Sequence, residues 1–252
     1  MRITDRITAD GRRLFQLRGV MPLVLVVPLG FALEQMAHFE LYWGKHVEDL
    51  WLAGCVCLSA LGLLVRCVTV AYAPAGTSGR SRGAPGAATL ATLGMYSVVR
   101  NPLYVGNGIM WLGVALATTS VWFALVSVLV YWLYIERVIS AEEAFLAKRF
   151  GAAYESWVAR TPCFLPRFSL WRAPTLGFSL RAVLRREYPA LIALGAAFTL
   201  VEFISNALLV GEPVARWFIT DRRWVIFCAV TVACGMGLRL LKKLHVLDVA
   251  DR

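Results

Sequence analysis

The sequence predicts an all-α fold: a polytopic membrane helical bundle with about six transmembrane helices and both termini in the cytoplasm. Three observations predict it. Apolar residues make up 59% of the 252 positions and charged residues only 17%, too little polar surface for a water-soluble domain of this length. Apolar runs of about 20 residues, the length that crosses a bilayer, recur along the chain. The 26 Lys+Arg against 16 Asp+Glu flank those runs instead of forming a nucleic-acid-binding stripe. The partner implied is therefore the lipid bilayer, with no nucleic acid.

The first crossing reads at about Gly19–Ala37. Pro22 and Pro28 are tolerable in a membrane helix, and no small-x-small cleavage site marks the segment as a secretory signal. The second reads at Leu50–Tyr72, with Arg66 near its end expected to snorkel to the interface. From Asn101 to Ile135 no residue carries a formal charge. One straight helix of that length would be about 52 Å long against a core of about 30 Å, so the run must fold back. Thr118-Thr119-Ser120 is the natural turn between two short crossings. The fifth crossing reads at Tyr188–Val210 and the sixth at Trp224–Leu241.

With the N-terminus inside, 22 of the 26 Lys+Arg fall on the cytoplasmic side and only Lys45, Arg216, Arg222 and Arg223 outside. The reverse orientation breaks the positive-inside rule. Two inner segments, Ala73–Arg100 and Glu136–Glu187, are too long to be simple connectors, and a soluble cofactor would be met there. The chain divides into a two-helix region (1–93), a core with the hairpin and its flanks (94–167), and a second two-helix region (168–252). The six cysteines have no zinc-finger spacing, lie mostly in apolar runs, and read as small packing residues with no metal and no disulfide framework.

Candidate chemistry lies in four places. The loop 73–86 is rich in Gly, Ser and Pro. It is either a flexible connector or an anion nest in which backbone N–H groups near Gly76 and Gly79, with Arg80 and Arg82, hold a phosphate. The block Gly94–Gly106 enters the hairpin, with Asn101 as a candidate N-cap and Pro102 in the first helical turn. It reads either as an interfacial anchor or as part of a site. After the hairpin, Glu136–Gly151 fits a helix that leaves the membrane and lies along its surface. Its Glu142 and Glu143 either form salt bridges with Lys148 and Arg149 or face a cationic, amine-bearing cofactor. Tyr154, Trp157 and the extended Thr161-Pro-Cys-Phe-Leu-Pro166 then either close over the site or tuck onto the surface.

In their order and spacing the last three blocks resemble the integral-membrane methyltransferases that include isoprenylcysteine carboxyl methyltransferase and phospholipid methyltransferase. The family pattern is Gly-x-Tyr-x-x-x-Arg-His-Pro-x-Tyr-x-Gly, a helical hairpin, Glu-Glu-x-x-Leu, Phe-Gly-x-x-Tyr and a Pro-rich end. Here it reads Gly94, Tyr96, Arg100, Asn101, Pro102, Tyr104 and Gly106, then Glu142, Glu143, Leu146, Phe150, Gly151, Tyr154, Pro162 and Pro166. Asn101 replaces the usual His, so this position can bind but cannot titrate.

The resemblance implies S-adenosylmethionine as cofactor, bound by Tyr96, Arg100, Asn101, Pro102, Tyr104, Gly106, Glu142, Glu143 and Tyr154. Arg100 and Asn101 would hold its carboxylate, Glu142 and Glu143 its amine or ribose, and the tyrosines its adenine or sulfonium. Gly106 would permit close approach of backbone or cofactor. His38, His46 and His245 all lie outside these blocks, so no histidine base is at hand. An acceptor already anionic needs none. Arg80, Arg82 and Arg149 are then the expected substrate-binding cations, and Arg149 and Glu143 the catalytic pair.

The expected function is O-methylation of a lipid phosphate or carboxylate at the cytoplasmic face of a bacterial inner membrane. Phosphate is favoured, and the resemblance points weakly to the branch acting on lipid A phosphate. Phospholipid amine N-methylation, isoprenylcysteine carboxyl methylation, a sterol-type NADPH reductase and a non-enzymatic transporter or scaffold are the alternatives. Glu202, deep in an apolar run, is either functional or paired with Asn206, and Gly235 and Gly237 are expected to serve helix packing.

Overall fold

The computed structural model describes residues 3–17, 21–74, 76–77, 87–209, 211 and 213–249. Among these the chain is helical, with no strand. The helices are α1 (Ile3–Gln16), α2 (Val26–Trp43), α3 (Lys45–Tyr72), α4 (Met95–Val98), α5 (Pro102–Leu116), α6 (Val121–Phe150), α7 (Ala152–Val158), α8 (Leu180–Phe203), α9 (Val214–Thr220) and α10 (Arg222–Lys243).

The all-α membrane bundle is as expected, with four long and two shorter apolar helices among the described residues. Four described helices are long and apolar enough to span a membrane: Lys45–Tyr72, Val121–Phe150, Leu180–Asn206 and Arg222–Lys243. The other two expected positions hold shorter apolar helices, Leu23–Leu33 and Pro102–Leu116. At 1.5 Å per residue, a 15-residue α5 is roughly 22 Å long, short of a core of about 30 Å. The hairpin turn falls where it was expected. Thr118 is fully buried and donates to the Ala115 carbonyl at 2.8 Å, Thr119 takes a left-handed φ of 56°, and Ser120 caps α6 through Phe123 N–H.

The segment after the hairpin does not turn along the surface as a separate helix. It is the end of α6, unbroken from Val121 to Phe150. No glycine or proline interrupts those residues. The helix stops at Gly151, whose φ of +50° is open to glycine at little cost.

Packing places α3 against α5, α8 against α10 and α3, and α1 against α6. The α3–α5 seam depends on two glycines. A Cβ on Gly62 would lie 2.6 Å from the Gly106 carbonyl oxygen, and one on Gly106 would lie 2.7 Å from the Gly62 carbonyl oxygen. Such backbone proximity favours packing between membrane helices. Gly235 does the same on α10, where a Cβ would collide with Ile192 of α8, whereas Gly237 faces open space.

An N-terminal amphipathic helix was absent from the sequence expectations. Phe15 of α1 is buried against Tyr131, Ile135, Val138 and Ile139 of α6, and the Thr8 and Ser140 hydroxyls meet at 2.9 Å. At the end of the bundle remote from α4, Glu202 accepts from Asn206 Nδ2 at 3.0 Å, and the same amide reaches Asp221 at 3.3 Å. Lys45 lies 3.6 Å from Asp221, and Arg223 pairs with Asp49. Glu202 is thus paired with Asn206 as one reading expected, and the bond from Asn206 to Asp221 ties the end of α8 to the segment ahead of α10.

Gly62→Leu should destabilise the protein by about 1–3 kcal/mol through overpacking of the α3–α5 seam. Gly54→Leu on the same helix, where a Cβ meets nothing within 4 Å, should leave the thermal midpoint in detergent unchanged.

Candidate functional site

The two motif blocks flanking the hairpin meet in space. Arg100 Nη1 donates to Glu143 Oε1 at 2.6 Å, and Tyr104 Oη donates to Glu142 Oε1 at 2.8 Å. Residues 43 and 38 positions apart are therefore joined by one charge-assisted and one charged-acceptor hydrogen bond. The hairpin makes this possible: α5 rises, turns at Thr118–Ser120, and α6 returns beyond the starting level, so Glu142 and Glu143 reach the base of α5.

The proline-rich segment is stitched to the first block. Arg100 N–H donates to the Pro162 carbonyl at 2.9 Å, Arg167 N–H to the Val98 carbonyl at 3.0 Å, and Gly94 N–H to the Arg172 carbonyl at 2.9 Å. Trp157 Nε1 donates to the Tyr96 carbonyl at 3.0 Å. The segment is held against the 94–100 stretch, and of this part of the chain Trp157 reaches the cavity lining. Prolines keep the segment extended, so its free carbonyls are available to the 94–101 stretch.

Beside these blocks lies a cavity of about 880 Å³. Of the expected site residues, Tyr96, Arg100, Asn101, Pro102, Tyr104 and Glu142 line it. Glu143 stands behind, holding Arg100. Tyr154 is buried, and its hydroxyl and Arg100 Nε both lack a hydrogen-bond partner. Asn101 does not cap α5 with its side chain; its Nδ2 donates to the Cys163 carbonyl at 3.1 Å. Gly106 admits the α3 backbone and the Arg66 side chain, not open cavity space. Arg149 is exposed beside the Phe150 ring, outside the cavity lining. Arg80 and Arg82 lie outside the described residues, although Thr77 and Ala87, on either side of that loop, border the cavity.

Burial pushes the Tyr96 hydroxyl up to about 12, so it is neutral near pH 7. Burial first, and then the charge of Glu143, also raise Tyr154 and the Cys163 thiol. Cys163 is thus a neutral packing thiol, and all six cysteines are free. No group of His, Cys, Asp and Glu among the described residues could hold a metal.

Sequence reasoning missed a second polar cluster. Arg66 does not snorkel to the interface. Its Nε and Nη2 donate to the two carboxylate oxygens of Glu187 at 2.8 and 3.0 Å, and its Nη1 donates to Asn107 Oδ1 at 2.6 Å. Glu187 is 5% exposed. Arg66, Asn107, Glu187 and Arg186 all line the same cavity. The available signal was an arginine inside one apolar run and a carboxylate at the edge of another, which in a membrane protein usually find each other. The 2.6 Å approach of a Cβ on Gly106 to Arg66 Cγ explains how the arginine lies flat across α5.

Fold and site together define a helical membrane protein with a partly open cavity, lined by both charged and apolar side chains, at one end. Residues 51–153 match the model of the phospholipid methyltransferase family. That region begins earlier than the motif resemblance, taking in most of α3 and Arg66, and ends one residue before Tyr154. The nickel-cobalt-cadmium resistance protein of Alcaligenes xylosoxydans xylosoxydans is 32% identical over 127 residues, 50% of this chain and 57% of that protein. The cobalt-zinc-cadmium resistance protein of Cupriavidus metallidurans is 36% identical over 147 residues, 58% of this chain and 63% of that protein. Protein-S-isoprenylcysteine O-methyltransferase of Schizosaccharomyces pombe is 36% identical over 77 residues, 31% of this chain and 33% of that protein. The chain spans less than two thirds of each. No solved structure matches it. Within the membrane bundle, a region of the chain is thus similar to the phospholipid methyltransferase family.

Removing one partner of the Arg66–Glu187 pair should cost about 3–5 kcal/mol, because a buried charge is left uncompensated. Glu187→Ala should therefore unfold far more readily in detergent than the double variant Arg66→Met, Glu187→Leu, and a double-mutant cycle on unfolding midpoints measures the difference.

Proposed function

We propose that the protein is an S-adenosylmethionine-dependent methyltransferase that O-methylates an anionic group of a membrane lipid, a phosphate in the first instance, such as that of lipid A. The reaction would take place at the cytoplasmic side of a bacterial inner membrane. The observation that carries the reading is the convergence of Arg100 with Glu143 and Tyr104 with Glu142 beside one cavity, which Arg100, Tyr104 and Glu142 line. It is supported by the family match over residues 51–153 and by the printed activity of the Schizosaccharomyces pombe relative.

The residues present fit the cofactor. Arg100 lines the cavity, and its buried Nε lacks a hydrogen-bond partner, which suits a carboxylate. The Glu142 carboxylate lines the cavity and suits an ammonium, and Tyr96 and Trp157 add aromatic side chains to the lining. A volume of about 880 Å³ leaves room for a cofactor and an acceptor headgroup together.

When bound, the cofactor supplies a methyl group on a sulfonium whose departing thioether takes the bonding electron pair. The chain's own contribution is alignment and charge placement. Glu142 and Glu143 favour a cation at the base of α5. The backbone bond from Arg100 N–H to the Pro162 carbonyl fixes Arg100 at that place. Neutral Tyr96 and Cys163 offer no base, and an anionic acceptor needs none. Arg149, exposed and away from the lining, is not used in this mechanism.

Purified protein given labelled S-adenosylmethionine and a bacterial lipid extract should yield a labelled anionic lipid. Label only in phosphatidylethanolamine derivatives would overturn the acceptor assignment, and absence of cofactor binding would overturn the whole reading. Arg100→Ala should weaken cofactor binding in calorimetry by about 10–100-fold, the size of one or two charge-assisted hydrogen bonds.

A further inference from the structure

The ionisable residues around the cavity form two mixed clusters whose formal charges sum to opposite signs. At the base of α5 stand Arg100, Glu142 and Glu143, which sum to one negative charge. At the α8 side stand Arg66, Arg186 and Glu187, which sum to one positive charge. Arg186 lies within electrostatic reach of Tyr96, Glu187 and Arg66. A cationic methyl donor and an anionic acceptor would be drawn to different clusters of one cavity, with Tyr96 within electrostatic reach of both.

The detail of the positive end sharpens this. Arg66 spends Nε and Nη2 on Glu187 and Nη1 on Asn107. Its guanidinium is committed to the protein. Because Arg66 can only donate, Asn107 must present Oδ1 to it, which leaves Nδ2 as a donor on the other side of the amide. Asn107 lines the cavity one helical turn beyond Tyr104, roughly 4.5 Å along α5. One further turn on the same face is Trp111, and Phe15, Leu17 and Met21 close that flank with apolar surface from the N-terminal helix and the turn after it. The face of α5 therefore runs from Tyr104, beside the carboxylates, through Asn107, beside the arginines, to Trp111 in an apolar wall.

We propose that Arg186 and Asn107 form the subsite for the anionic oxygen of the acceptor, a phosphate monoester or carboxylate on a lipid chain, with the chain lying against Trp111, Phe15 and Leu17. Arg66 and Glu187 are positioning residues: they fix the Asn107 amide and do not touch the acceptor. The inference rests on the methyltransferase reading and moves acceptor recognition from Arg80, Arg82 and Arg149 to α5 and α8. In the transfer itself, a lone pair of the acceptor oxygen forms the new C–O bond as the C–S bond breaks toward sulfur, so no proton or oxidant is required.

The test uses the full chain in nanodiscs and follows tryptophan fluorescence and calorimetry. The probes are dioctanoyl phosphatidic acid, N-acetyl-S-farnesylcysteine, glycerol 3-phosphate and S-adenosylmethionine. Wild type should bind at least one of the two chain-bearing anions, and bind it more tightly than glycerol 3-phosphate. The phosphate and carboxylate arms distinguish the two acceptor chemistries. Arg186→Gln and Asn107→Asp should each weaken that binding about 10–100-fold. Arg186→Lys should recover part of it, and all three should keep S-adenosylmethionine affinity within about twofold, a sign of an intact fold. Unchanged anion binding in Arg186→Gln and Asn107→Asp would overturn the subsite, as would loss of cofactor affinity in step with anion affinity. Equal affinity for glycerol 3-phosphate would overturn the lipid part. If wild type binds neither chain-bearing anion while retaining S-adenosylmethionine, the inference fails alone; if it does not bind S-adenosylmethionine, the methyltransferase reading fails with it.

Discussion

The contact between Arg100 and Glu143 is the constraint on which the rest of the arrangement depends. It joins the residue that precedes a short membrane helix to one carried past the same level by the long returning helix. Both groups are partly shielded, at 15% and 32% exposure, so the attraction is weakly screened. The contact requires α5 to be short, the turn at Thr118–Ser120 to be tight, and α6 to continue without a break past Glu136. The backbone bond from Arg100 N–H to the Pro162 carbonyl adds the third segment of the site to the same point.

A second constraint holds the cavity open from the other side. Arg66 would be costly in an apolar helix unless paired, and Glu187 equally so. Together, with Asn107, they satisfy one another across three helices, α3, α5 and α8. The two glycines of the α3–α5 seam set the distance at which the arginine can cross. Packing and electrostatics are here one device: small residues permit close backbones, and close backbones bring the guanidinium to its partners. The C-terminal region thereby contributes to the cavity wall through Arg186 and Glu187, and at the far end it is tied to α3 by the ion pair of Arg223 with Asp49.

The N-terminal helix adds a boundary condition. By packing Phe15 onto α6 it brings Leu17 and Met21 to the apolar flank of the cavity. The cavity is therefore charged along the first turns of α5 and apolar beside Trp111, Phe15 and Leu17, a graded wall suited to a molecule with a charged head and an apolar tail.

Composition and periodicity alone determined that the chain is an all-helical membrane protein, because the bilayer admits few solutions for so apolar a sequence. The charge-free run from Asn101 to Ile135 determined the hairpin, since no single helix of that length fits the hydrocarbon core. The motif blocks at Gly94–Gly106 and Glu142–Tyr154 were legible by order and spacing, and the family match bears out the resemblance they carry. Tertiary structure alone decided which side chains meet. That Arg66 turns inward to Glu187, that Asn101 serves the Cys163 carbonyl, and that Arg149 stays outside the cavity depend on helix rotation and contact across 60 to 120 residues of chain. A membrane helix is apolar nearly all round, so its sequence hardly marks which face turns inward. Rotation is set by glycine contacts and buried ion pairs that become visible only when the partner helix is in place.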